Sequence, residues 1–345
     1  MTAVESDFVP ILSIEEVRKK IAERTNQIHE QDAVSAATRY KHIRTFGEAA
    51  EALIEVTQNT EGRLMLGIPE LDVLTRGFGR GELIFVTGRA HSGKTQVVLN
   101  MINANNAKNI LFFTPDEVAP LVLSKLAAMH YGISAEIIEA RIKAGDTATV
   151  EMVRRAANHD FRNVIVIDDS LTLNQCAQAL AEAQDWWGGP ADLVVFDYLE
   201  LIPGDLEGGE GVVAKAQALK RWTKQSGAPV VCLHQSSRSS APRGQSAGMN
   251  SGKFGTEQEA IMLLEVYRKR ENESLDEFER ARHSNTLTTR LVKNKRPPSK
   301  VGEVDLFIDP STGAIRTLRD EDMVVVGTPM TTAEQAMQAR ANAGF

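Results

Sequence analysis

The chain has 345 residues, 42% hydrophobic and 25% charged, an ordinary globular composition that can build one large domain with appendages or two smaller ones. A formal charge of -7 excludes global electrostatic attraction to nucleic acid, so any such contact must come from local basic patches. The longest apolar runs, such as "LIFVTG" and "ADLVVFDYLELI", fall far short of the roughly 18 residues a membrane span needs, and no basic-then-apolar leader opens the chain. A cytoplasmic protein with no membrane partner is expected.

In chain order, residues 1–61 come first, a polar arm whose clearest helical piece is "SIEEVRKKIAERTNQI". Ser13 and Glu16 form a capping box there, and Ile14, Val17, Ile21 and Ile28 fall on one stripe. One apolar stripe on a charged helix needs a partner surface, either its own domain or a neighbouring subunit. From residue 62 to 320 the texture becomes α/β. The runs "ELIFVTG", "NILFFT", "NVIVID", "LVVFD" and "APVVCLH" alternate with helix-like segments, the pattern of a mostly parallel sheet covered by helices on both faces. Three later runs, "AIMLLEVYRK", "TLTTRLVKNK" and "EVDLFID", read as further strands, the last two paired near an edge. Residues 236–256 form a long Gly/Ser-rich loop, and residues 321–345 a tail with a weak apolar stripe. Cys176 and Cys232 lie in apolar segments and read as buried thiols.

The stretch "GRAHSGKT", Gly88 to Thr95, matches G-x-x-x-x-G-K-[ST], with a strand running in and a helix running out. Backbone N–H groups of such a loop cup phosphate oxygens at a helix N-terminus, so Gly88, Ser92, Gly93, Lys94, Thr95 and Gln96 form the expected nucleotide cradle. Lys94 reaches the β- and γ-phosphates, and Thr95 offers its hydroxyl to Mg²⁺. Asp197 ends the run "LVVFD", the Walker B position from which a carboxylate serves the metal. Asp116 and Glu117 follow another strand; either can activate the attacking water, or both can be helix-start acids. His234 and Gln235 end a further strand, where a polar pair can sense the γ-phosphate or relay its presence into the next loop.

Four segments in one order, "RLMLGIPELDVLTRGFGRGELIFVTGRAHSGKT", "NILFFTPDE", "LVVFDYLELI" and "LKRWTKQSGAPVVCLHQSSR", resemble the RecA-type P-loop NTPase motor domain of DnaB-family replicative helicases, of the kind also carried by bacteriophages. The resemblance runs from about residue 62 to 318 and implies an ATP- and Mg²⁺-dependent hydrolase that forms six-membered rings on single-stranded DNA and unwinds duplex DNA during replication. It implies Lys94, Thr95 and Asp197 at the nucleotide, Gln235 as sensor, and Arg268 in "VYRKRE" beside the nucleotide. The family's catalytic glutamate aligns with Asp116, Glu117 standing next to it. The family's Lys-x-Arg pair, presented to the neighbouring subunit, falls on "LVKNKRPPSKVG": Lys293 comes first, Lys295 where the arginine is expected and Arg296 just after. A planar donor fork suits a transition-state phosphate better than an ammonium, which favours Lys293 with Arg296.

The resemblance also places DNA on loops after the Walker B and sensor strands. The second carries Arg238, Arg243 and Lys253, suited to a phosphate backbone; the first, with Asp205, Glu207 and Glu210, would repel one unless those acids face away. The helical N-terminal domain of bacterial members has no counterpart in the 60 residues available, so a primase or loader partner stays open. Other readings on the same core are a recombinase or clock-type ATPase, or a nucleotide-controlled assembly or loader module with weak hydrolysis.

Overall fold

The computed structural model describes residues 45–58, 63–204, 208–236, 242–248 and 253–323. The stripe at Ile14 to Ile28, Arg238, the acids Asp205 and Glu207, and the tail beyond residue 323 lie outside the described residues. Two compact units divide the chain, Met1–Thr60 and Glu61–Phe345.

In the first unit the described element is helix α1, Phe46–Gln58. Thr45 and Glu48 start it reciprocally: the Glu48 N–H donates to Thr45 Oγ1 at 3.2 Å and the Thr45 N–H donates to Glu48 Oε2 at 2.7 Å. Phe46, Leu53 and Ile54 recur at helical spacing on one side and are 96%, 64% and 46% exposed, an apolar stripe open to solvent.

The second unit is built on one nine-stranded sheet in the order β3-β2-β4-β5-β1-β6-β7-β8-β9. Its strands are β1 Leu83–Gly88, β2 Ile110–Phe113, β3 Val164–Ile167, β4 Leu193–Phe196, β5 Val230–Gln235, β6 Met262–Tyr267, β7 Thr286–Asn294, β8 Gly302–Ile308 and β9 Ile315–Thr317. β1 to β6 pair in parallel; β7, β8 and β9 add antiparallel hairpins at one edge. Eight of these strands coincide with the apolar runs of the sequence. The three-residue β9 is too short to stand out from its surroundings.

Helices α2 Pro69–Thr75, α3 Lys94–Ala104, α4 Ala119–Tyr131, α5 Ala135–Lys143, α6 Thr147–Arg155, α7 Leu173–Trp187, α8 Gly208–Ser226 and α9 Glu277–Arg282 complete the unit. Their ends carry local stop and start chemistry. Thr172 and Gln175 make a capping box for α7, and α4 runs from Pro120 in its first turn to Gly132 at φ 66.

Alternate residues of one strand feed two cores. Ile84 and Val86 join Leu99, Ile102 and Phe112 on one face of the sheet; Leu83 and Phe85 join Phe113, Phe196, Leu219 and Trp222 on the other. Each such side chain, fully withdrawn from water, contributes about 1.5–3 kcal/mol. Both faces are therefore dry, and polar chemistry emerges where the parallel strands end. Cys176 and Cys232 are buried free thiols. No single helix among the described residues is long and apolar enough to cross a membrane.

Candidate nucleotide site

β1 delivers the chain into the loop at Gly88, and α3 begins at Lys94. Gly93 precedes the helix at φ 104 and ψ 16, a left-handed conformation closed to ordinary side chains. A Cβ there would also come within 2.9 Å of Leu287 Cδ1. The motif's second glycine thus answers to sterics on both counts. Lys94 is 7% exposed and folds back, its Nζ donating to the carbonyls of Arg89 at 2.8 Å and Gly88 at 3.1 Å. Ser92 Oγ is buried beside them with no hydrogen-bond partner among the described residues. A buried hydroxyl and a loop of N–H groups at a helix start fit phosphate oxygens.

The sheet order sets two further strands beside this loop. β4 ends in Asp197, which accepts a hydrogen bond from Thr95 Oγ1 at 2.8 Å. Asp197 is 4% exposed, and burial pushes its carboxyl up from the ordinary 3.8 to about 6; the Thr95 hydroxyl and the Lys94 charge oppose that rise, while Glu117 and Asp116 add to it. A hydroxyl and a carboxylate in contact below a phosphate loop form a donor set fitted to Mg²⁺, whose charge would relieve that desolvation. β5 lies against β1 with Gln235 in register with Gly88, so the sensor position stands at the loop's entry.

Asp116 and Glu117 differ in their surroundings. Asp116 is exposed, with no hydrogen bond or ion pair among the described residues, whereas Glu117 Oε1 is held by Lys125 of α4. Asp116 keeps a carboxylate available next to Asp197. Arg268 directly follows β6 and, with Gly88, Arg89, Ser92, Ser236 and Tyr267, lines a cleft. Its Nε and Nη1 are buried without partners among the described residues, and burial, then repulsion from Arg270, lowers its pKa to about 10. Such a guanidinium needs an acceptor.

Two expected site residues have their side chains engaged elsewhere. The Gln96 side chain does not face the cradle: its amide donates to Gly313 O at 2.7 Å, tying α3 to the turn between β8 and β9. Arg296 is not presented outward. It is 8% exposed, forms a double contact with the Glu82 carboxylate, 3.0 Å from Nε to Oε1, and donates through Nη1 to Thr75 O at 3.0 Å. A guanidinium so enclosed is a strut between α2, β1 and the end of β7. Lys295 is exposed at that strand end, and Lys293 donates through Nζ to the carbonyls of Glu257 at 2.7 Å and Gln258 at 3.1 Å. Burial and the neighbouring Lys295 charge lower the Lys293 ammonium to about 8.

Of the basic residues expected on DNA, Arg243 is exposed and Lys253 opens a 3-10 turn, Lys253–Gln258. Glu210 sits in the first turn of α8. Sequence reasoning missed Glu200 and Thr256, which flank His234. The ring Nδ1 is 3.1 Å from Glu200 Oε1 and Nε2 is 2.9 Å from Thr256 Oγ1. The available signal was a histidine inside an apolar strand, since a buried imidazole requires polar partners.

Known proteins resemble this chain over much of its length. The chain is 26% identical over 334 residues to a probable replicative DNA helicase of Trieres chinensis, spanning 89% of this chain and 68% of that protein. It is 25% identical over 321 residues to the replicative DNA helicase DnaB of Geobacillus stearothermophilus, spanning 87% and 65%. A replicative DNA helicase DnaB of Nostoc sp. is 31% identical over 198 residues, which are 53% of this chain and 22% of that protein. The chain thus spans from under a quarter to about two thirds of the length of these relatives. Among solved structures, a separately solved ATPase domain matches over 80% of this chain and all of its own, with TM-score 0.68 and 19% identity. A DnaB-like replicative helicase studied with its primase interactions matches 88% of this chain and 77% of its own, with TM-score 0.65 and 19% identity. Both share the RecA-like fold. Residues 64–316 match the DnaB-like helicase C terminal domain, and the chain belongs to that family.

Proposed function

We propose that this chain is the ATP-hydrolysing motor of a homo-hexameric ring that translocates on single-stranded DNA and unwinds duplex during replication. The observation that carries the reading is the contact of Thr95 with Asp197 at 2.8 Å below the phosphate loop, with Gln235 in register beside Gly88. Hydrolysis by a P-loop site needs those groups on adjacent strand ends.

In the proposed reaction Lys94 swings from its loop carbonyls onto the β- and γ-phosphates, and Ser92 and the loop N–H groups hold the remaining oxygens. Mg²⁺, held by Thr95 and Asp197, supplies neutralisation of phosphate charge when bound. Asp116 accepts the proton of the attacking water, and Arg268 gives its buried donors to the nucleotide. Lys295, with Lys293 behind it, reaches the γ-phosphate of the neighbouring subunit in place of Arg296. The exposed stripe Phe46, Leu53 and Ile54 is the apolar surface with which an arm closes a ring. Arg243 and Lys253 track the DNA backbone. A primase or loader partner, and a cytoplasmic setting in a bacterial or phage-infected cell, belong to the same proposal.

The nucleotide-controlled assembly module is the second reading; an aspartate where the family has its glutamate, beside a glutamate engaged by Lys125, favours it. Phosphate release measured against protein concentration, with and without single-stranded DNA and with Lys94→Ala as blank, separates the two. A ring motor shows a rate per subunit that rises with concentration and again with DNA. A flat rate indifferent to DNA leaves the assembly module.

A further inference from the structure

The group least explained by nucleotide chemistry is His234, fully buried at the C-terminal end of β5. Its polar partners come from two distant parts of the chain. Glu200 stands three residues after Asp197, and its Oε1 lies 3.1 Å from His234 Nδ1 and accepts the Gln235 N–H at 3.2 Å. The Glu200 carbonyl accepts from Lys215 Nζ of α8 at 2.9 Å. On the other side of the ring, Thr256 Oγ1 is 2.9 Å from Nε2, and Thr256 is itself fully buried. The ring thus stands between a carboxylate on its Nδ1 side and a hydroxyl, which can donate or accept, on its Nε2 side. The next two carbonyls, Glu257 and Gln258, are the ones that hold Lys293 Nζ, at 2.7 Å and 3.1 Å.

We propose that Glu200, His234 and Thr256 form a buried relay that couples the phosphate end of the subunit's own site to the turn Lys253–Gln258 and through it to Lys293. The proposal rests on the ring reading for what Lys293 does, but the relay itself lies within one chain. At its inner end Glu200 senses two neighbours at once, the strand bearing Asp197 and the backbone of Gln235. A shift of Gln235 toward a γ-phosphate withdraws the N–H that Glu200 accepts. The carboxylate then re-aims at His234, the ring moves with it, and Thr256 carries the turn and the two carbonyls that set the lysine's reach. The path is short: hydrogen bonds join Gln235 to Glu200 and His234 to Thr256, and between them the partly buried Glu200 carboxylate lies 3.1 Å from His234 Nδ1, a spacing at which a displacement of one side chain is felt by the next. His234, Glu200 and Thr256 are positioning residues and touch no nucleotide.

The test is amide hydrogen exchange of the full chain, with and without Mg²⁺ and AMP-PNP. The relay predicts that the analogue changes exchange of residues 253–258 and 291–295 by about tenfold in the wild type. Thr256→Val, which keeps shape and removes the hydroxyl, abolishes that response while AMP-PNP affinity stays within about twofold. Thr256→Ser restores it. A purely structural threonine instead shifts exchange of the turn equally with and without the analogue. That result overturns the relay, as does a response in Thr256→Val equal to the wild type, or no response in the wild type. Should Thr256→Val fail to fold, Glu200→Gln at the other end carries the same test, with loss of the response expected and its full retention fatal. The readout needs no hydrolysis, so failure of the relay is distinct from failure of the ring motor, which the concentration dependence of phosphate release decides.

Discussion

The parallel heart of the sheet and its antiparallel edge place their functional groups by different rules. At the ends of β1, β4 and β5, side chains follow buried strands, and Gly88, Asp197 and Gln235 converge because parallel strands with dry faces have fixed registers. At the end of β7 four successive polar residues, Asn294 flanked by Lys293, Lys295 and Arg296, meet three environments. Arg296 turns inward to Glu82, Lys293 lies along the turn at Glu257, and Lys295 alone of the three cations is exposed. A cation's identity decides little there; the side of the strand decides which cation reaches a neighbour.

The largest expected effect breaks or confirms that contrast directly. Lys295→Ala lowers DNA-stimulated hydrolysis by about three powers of ten with an unchanged melting temperature, if its role follows that of a trans finger. Arg296→Ala reverses the pattern: loss of a buried ion-pair partner costs about 3–5 kcal/mol in denaturant unfolding, leaving Glu82 uncompensated. Equal loss of rate with unchanged stability for Arg296→Ala returns the finger to that residue. Next comes the pair at the end of β2. Asp116→Asn lowers single-turnover hydrolysis by about 10²–10⁴-fold, while Glu117→Gln, already engaged by Lys125, changes it far less.

A smaller effect belongs to the heart of the sheet. Asp197 titrates near 6 in the folded chain against an ordinary 3.8, so between those values the native state binds more protons and stability falls as pH rises. Asp197→Asn therefore stabilises the nucleotide-free protein by about 1–3 kcal/mol at pH 7.5, and the advantage disappears below about pH 4. Denaturant melts at both pH values measure this, and an advantage that persists at low pH would show that packing, not charge, is responsible. The smallest effect concerns the Gln96 side chain. Gly313 sits at φ 75, and a Cβ there would collide with the Gln96 amide. Gly313→Ala costs about 1–3 kcal/mol of stability, and Gln96→Ala leaves nucleotide affinity unchanged in a titration with a fluorescent ATP analogue.

Much of the central site was legible because its residues obey local rules. A glycine at positive φ, a lysine at a helix start and an acid ending an apolar strand each announce themselves within a few positions of the chain. Glu200 and Thr256 made no such announcement. They stand far apart in the chain and are joined only because β5 lies between the loop after β4 and the turn before β6.

The sequence by itself determined the strands, the phosphate loop and the acids around it, since hydrophobic runs and backbone sterics act over a few residues. Tertiary structure decided which cation faces outward, that Gln96 reaches Gly313 rather than the cradle, and that His234 stands between Glu200 and Thr256. Those outcomes depend on partners brought together across the sheet, and a buried polar group goes where its hydrogen bonds can be satisfied.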